Sequence, residues 1–160
     1  MDFSEGTREA PGERWFEGGL RFKCTACGKC CTGSSGSVYL STVDLKRLAS
    51  FFQLPIGTFA RRYTRLIRGR RALIDSPASN DCVFLTNGTC KVYEARPTQC
   101  RTYPWWISNI NDPQSWEEAS ELCEGINHPE APIVSASEIL EQCRVDLENE
   151  SNSGAAKPRA

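Results

Sequence analysis

Residues 23–31 read KCTACGKCC, and this run of four cysteines constrains the fold more than any other stretch of the chain. Three chemistries require so many sulfurs on one short piece of backbone: a metal or iron–sulfur site, a disulfide framework, or a redox or nucleophilic thiol centre. Cys24, Cys27 and Cys30 are spaced C-x2-C-x2-C, with Cys31 immediately after. Two intervening residues let backbone amides fold around a metal-bound sulfur, which is why such knuckles recur at zinc and iron–sulfur sites. Gly28, Gly33 and Gly36 add conformations that most residues resist.

The bulk properties weigh against the disulfide alternative. A chain of 160 residues buries a core without obligatory staples, and nine cysteines are too few for composition alone to signal a small secreted disulfide scaffold. The N-terminal MDFSEGTREAPGERW has neither a basic region nor an apolar stretch, so it does not read as a secretory signal. No apolar run approaches the ~20 residues of a bilayer span. The expectation is a cytoplasmic protein without membrane association, and in a reducing compartment clustered cysteines serve metals or catalysis more often than disulfides. The net charge of −1, from 19 basic and 20 acidic residues, supplies no global field for nucleic acid or an anionic surface.

Periodicity outlines an α+β, loop-rich single domain. Ser41 or Thr42 can cap a helix carrying Leu45, Leu48, Ala49 and Phe52 on one side. After Pro55, the stretch PIGTFARRYTRLI continues the helical pattern with Ile56, Phe59, Tyr63, Leu66 and Ile67, so a helical hairpin is predicted. RALID, CVFL and CKVYE read as short strands, the last two joined by an Asn87-Gly88 hairpin turn. Ser135 and Glu138 stand in capping-box spacing before a C-terminal helix with Ile139, Leu140, Cys143 and Leu147 on one stripe. The expected organisation is an unstructured N-terminus over 1–14, a cysteine-cluster domain over 15–147 and an unstructured tail over 148–160. The cysteines then fall on loops and strand ends.

Beyond the first four, Cys82, Cys90, Cys100 and Cys123 follow, each bounded by turn or loop residues, with Cys143 apart. Four thiolates satisfy one tetrahedral zinc or one four-iron cluster, so eight suffice for two sites, or for one site and a second set of thiols. Neighbouring side chains diverge, so Cys31 points to a second site or a disulfide partner rather than to the centre of Cys30. Cys143 reads as a buried small hydrophobe.

The segments CTACGKCC, DCVFLTNGTCKVYEARPTQCRTYPWW and LCEGI together resemble the CxxCxxCC family of zinc- or iron-chelating cysteine-cluster domains, from about Leu20 to Ile126. The resemblance implies chelation through Cys24, Cys27, Cys30, Cys31, Cys82, Cys90, Cys100 and Cys123. The cofactor expected is an iron–sulfur cluster, four-iron in the first instance, or one to two zinc ions. A similar cysteine module accompanies additional sequence in flagellin lysine methylases, which implies one alternative, a redox or methyl-transfer enzyme using the cluster; a second alternative is a zinc-stabilised interaction module that uses the arginine helix on a partner. No Gly-rich loop after a strand marks a methyl-donor site here.

Around Cys100, Arg96 and Arg101 are expected to donate to thiolates and offset their charge, and Tyr103 and Trp105 to shield the centre from water. The plainer alternative makes the tryptophans core and the arginines loop caps. Arg61, Arg62, Arg65, Arg68, Arg70 and Arg71 form a basic run opposite an apolar stripe, the usual pattern of a solvated face. Arg61, Arg62, Arg65 and Arg68 could instead meet a protein partner, whereas the absence of interleaved aromatics disfavours nucleic acid. His128, the single histidine, lies five residues after Cys123 in a polar loop and reads as a surface residue.

Overall fold

The computed structural model describes residues 14–32 and 37–153. It is a mixed helix and strand domain in which short elements surround two separate apolar cores.

One core is built by the predicted helical hairpin. Helix α1 (Thr42–Phe51) starts in a complete capping box, the Ser41 hydroxyl accepting from the Asp44 amide and the Asp44 carboxylate accepting from the Ser41 amide. Helix α2 (Ile56–Tyr63) follows Pro55 and packs on α1. Phe52, Phe59, Tyr63 and Phe84 stack in one aromatic group, with ring centroids 5.2 Å apart for Phe52–Tyr63 and 6.3 Å for Phe59–Phe84. Leu40, Leu48 and Val92 close around it.

The helical reading fails beyond Tyr63. Residues Thr64–Ile67 are strand β2, paired antiparallel with β3 (Arg70–Leu73) in the register Thr64↔Leu73 to Ile67↔Arg70. Arg68 and Gly69 both take positive φ, 50° and 77°, the two-residue turn whose twist suits a hairpin. Leu66, assigned to the apolar face, is 61% exposed. A second two-residue turn at Asn87-Gly88 joins β4 (Leu85–Thr86) to β5 (Thr89–Cys90), so the predicted hairpin forms but with shorter strands: Val83 and Phe84 of CVFL lie in a turn, and Tyr93 and Glu94 of CKVYE begin the 3-10 turn Tyr93–Ala95.

The other core lies under helix α6 (Ala136–Asn152), whose N-terminus carries the predicted Ser135/Glu138 capping box. Ile139 is fully buried and Cys143 nearly so, joined by Phe16, Trp105, Trp116 and Ile126. Trp105 stacks on Trp116 at 5.3 Å and meets Phe22 edge-on at 5.6 Å. Helix α5 (Pro113–Leu122), which supplies Trp116, begins with Asp112 accepting from the Ser115 amide and with proline in its first position. Strand β1 (Leu20–Arg21) pairs antiparallel with β6 (Ile133–Val134) and closes this lobe. Helix α3 (Thr98–Thr102) packs against α6, and α4 (Ile107–Ile110) packs against α5 and adds Ile110 to this core.

Helix α6 covers residues 148–152, and Arg70 donates to Ser153 at its end. The remainder of the two ends expected to be unstructured, 1–13 and 154–160, lies outside the described residues, as do Gly33 and Gly36. Among the described residues, no helix is long and apolar enough to cross a membrane.

Candidate metal centre

All nine cysteines carry free thiols. The Lys23–Thr32 loop holds four of them, and its two ends are fastened to different partners. At its start, the Lys23 amide donates to the Gly125 carbonyl at 3.0 Å and the Thr25 hydroxyl to Glu124 Oε1 at 2.6 Å, beside Cys123. At its end, the Cys82 amide donates to the Cys31 carbonyl at 2.8 Å. The turn at Gly28 (φ 76°) lies against the Gly88 carbonyl, which brings the β4–β5 hairpin and Cys90 to the same loop. Cys100 enters from α3, where its amide donates to the Pro97 carbonyl at 3.0 Å.

The thiols are neighbours as a result. The Cys31 thiol donates to both Cys30 and Cys90, and those bonds hold the Cys30 thiol down at about 7 and the Cys90 thiol at about 6 despite burial. The same two bonds push Cys31 strongly upward, so it keeps its proton. Burial raises Cys82, which the Phe84 amide partly offsets, and burial also raises Cys100, to which the charges of Cys82, Cys30 and Cys90 add. Burial raises Cys123 against the opposing amides of Gly125 and Ile126, with Cys27 and Cys30 nearby. Among the described residues, no three Cys, His, Asp or Glu side chains are gathered in metal-ligand geometry.

The surrounding residues divide. Arg96 lies close enough to lower Cys30, Cys90 and Cys100, while its own guanidinium rests 3.8 Å over the Tyr93 ring. The Tyr103 hydroxyl donates to Cys123 and faces Cys30 and Cys27, and its own proton is held tightly, chiefly by burial. Arg101 and Trp105 have different surroundings, and Cys123 packs against the core that holds Trp105. Arg101 reaches Thr98 at 3.4 Å beside Arg47 and Arg96, and Trp105 belongs to the apolar core. Tyr93, which the sequence reading passed over, donates to Cys24. Only its position three residues after Cys90 could have singled it out.

The other candidates make contacts of their own. The basic run is split by the β2–β3 hairpin: Arg65 pairs with Asp75 at 3.2 Å, Arg70 lies 3.7 Å over the Tyr39 ring, and Arg71 donates to Thr64. Arg61 and Arg62 are exposed in the last turn of α2, and Arg68 is in the hairpin turn. His128 is half-buried, its Nδ1 accepting from the Glu130 amide at 3.1 Å.

The strap at Gly125 gives a direct test of this arrangement. A β-carbon there would collide with the Lys23 carbonyl, whereas one at Gly18 meets nothing within 4 Å. Gly125→Ala is expected to cost about 1–3 kcal/mol by overpacking, and Gly18→Ala close to nothing, in urea denaturation of the metal-loaded protein.

A loop-rich α+β domain that turns free thiols from separated segments toward one another is a cysteine-rich chelating domain in its chemistry. Residues 23–124, more than half of the chain, match the CxxCxxCC family, described as "Putative zinc- or iron-chelating domain", and the chain belongs to that family. Among curated proteins it is similar to "Uncharacterized protein MJ0661" of Methanocaldococcus jannaschii, 29% identical over 95 residues, which make up 58% of this chain and 50% of the relative. The chain thus spans about half the length of that relative. No solved structure matches it.

Proposed function

We propose that this chain is a thiolate metal-binding protein that holds an iron–sulfur cluster, in preference to zinc, through Cys24, Cys27, Cys30, Cys31, Cys82, Cys90, Cys100 and Cys123. The observation that carries the reading is the approach of Cys31 to both Cys30 and Cys90, with Cys82 and Cys100 beside them, although these residues come from four separate stretches of sequence. Five ionisable sulfurs in one place are costly unless a cation offsets them, because burial and mutual repulsion both oppose the thiolate forms.

The donors around the sulfurs favour the iron–sulfur assignment. Tyr93 and Tyr103 hydroxyls donate to Cys24 and Cys123, and Arg96 brings positive charge to Cys30 and Cys90. Hydrogen bonds to sulfur, local charge and solvent exclusion are the means by which proteins set cluster potential. When bound, such a cluster supplies one-electron chemistry, while the residues of this chain orient the thiolates and neutralise their charge.

Protein purified without oxygen is expected to be brown, with near-equal iron and acid-labile sulfide per chain. Colourless protein carrying zinc would replace the iron–sulfur assignment with a structural zinc centre. Protein with neither metal would overturn the chelation reading itself.

A further inference from the structure

We infer that the cleft where α6 faces Arg70 and Trp106 is a binding site for a guanidinium group carried on an apolar stem, with Asp146 and Asn149 as its recognition residues. The cleft has a volume of about 290 Å³ and is lined by both of these side chains. None of its residues is a candidate metal ligand, so the inference stands independently of the chelation reading.

Three charged side chains line the cleft, and two of them are matched to each other. The Arg70 guanidinium lies 3.7 Å over the Tyr39 ring, donates to the Ser153 hydroxyl at 2.8 Å and stands 3.9 Å from the Glu150 carboxylate. Asp146 is the one left over, and among the described residues no cation pairs with it. Its Oδ1 accepts from the Thr102 hydroxyl at 3.1 Å, whose single proton the Gln99 carbonyl shares at 3.2 Å. Burial raises the Asp146 carboxyl, the Thr102 bond opposes that rise, and the Glu150 charge adds to it. A half-buried carboxylate in this setting gains from a cation brought by a ligand.

Asn149 follows three residues later on the same face of α6. It is 7% exposed, and its carboxamide makes no hydrogen bond among the described residues. Fully enclosed side-chain polar atoms among those residues all have partners, so the Asn149 carboxamide is open to the cleft it lines. A buried amide in that position is under-satisfied until a ligand donates to its oxygen.

Trp106 supplies a flat surface. Its Nε1 is committed to the Gln99 carbonyl and to the Thr102 hydroxyl, each at 3.1 Å, so it offers the cleft ring carbon only. Ile107 and Leu147, 50% and 43% exposed, add an apolar wall for a stem. A guanidinium fits this combination because its N–H groups form a rigid fork for a carboxylate, others remain for an amide oxygen, and its face stacks on an aromatic ring. An ammonium lacks both the fork and the face, and Asp146 and Glu150 repel an anion.

Isothermal titration calorimetry of the metal-loaded protein tests the assignment with n-butylguanidine and with n-butylurea, its uncharged analogue of the same shape. Saturable binding of butylguanidine in the millimolar range is expected, about tenfold or more tighter than that of butylurea. Equal binding of the two probes, or no saturable binding of butylguanidine, would overturn the proposal, and this comparison needs no variant. Asp146→Asn is expected to weaken butylguanidine binding about tenfold and Asn149→Ala several-fold, whereas Glu148→Gln, on the exposed side of α6, leaves it unchanged. Undiminished binding in folded Asp146→Asn protein would equally overturn it. N-acetyl-arginine amide distinguishes the sources of the group: affinity at least equal to that of butylguanidine assigns the cleft to an arginine side chain of a peptide, and loss of binding assigns it to a free small molecule.

Discussion

Chelator treatment under reducing conditions is expected to abolish the cooperative melting of this protein. Each of its cores is small, and each contributes cysteines to the candidate centre. Structural zinc contributes about 10–16 kcal/mol in small domains, as large as the whole net stability of about 5–15 kcal/mol of an ordinary domain. The metal-free chain also retains Cys31 as a donor to Cys30 and Cys90, a few hydrogen bonds of about 1 kcal/mol each in place of metal–sulfur bonds. Near-ultraviolet circular dichroism follows the result directly, because Trp105 and Trp116 stack at 5.3 Å in the core beside Cys123. An unchanged thermal transition after complete metal removal would show that the cysteines do not hold the fold.

Asp44→Ala is expected to destabilise the protein by about 3–5 kcal/mol, the cost of breaking a buried charged network by removing one partner. Asp44 is fully buried and accepts from the Ser41 amide at 3.2 Å, the Thr98 amide at 3.0 Å, the Thr98 hydroxyl at 2.7 Å and the Arg47 guanidinium at 3.2 Å. Arg47 reaches on to the Arg96 carbonyl at 2.8 Å. One carboxylate thereby caps α1, seats the start of α3 and fixes the turn that presents Arg96 and Cys100. Thr98→Ala removes only one hydroxyl donor and is expected to cost about 1 kcal/mol. Urea denaturation of the metal-loaded variants measures both, and an Asp44→Ala cost no larger than that of Thr98→Ala would refute the hub.

The buried Asp44 also shows why part of the site was hidden in the sequence. At the level of the chain, Asp44 is the third residue of a capped helix, and its capping role follows from spacing alone. Its hold on Thr98, 54 residues away, has no local signature. Trp105 is a second case. Five residues after Cys100 in sequence, its ring stacks on Trp116 in the core against which Cys123 packs.

Local chemistry determined what one turn of backbone can decide. A cap at Ser41 or Thr42, the capping box at Ser135, the hairpin turn at Asn87-Gly88, the chelating knuckle from Cys24 and the family it signals were all legible, because the interacting groups lie within a few residues of one another. The start of α5 was equally local, an aspartate cap followed by proline, and could have been read. Tertiary structure alone decided the rest. Thr64–Ile67 leaves the helical pattern because Arg70–Leu73 offers a paired edge, and β1 finds β6 across more than a hundred residues. It also fastens the start of the cysteine loop to Gly125 and its end to Cys82, since hydrogen bonds between distant segments depend on how two cores are packed and not on the order of residues along the chain.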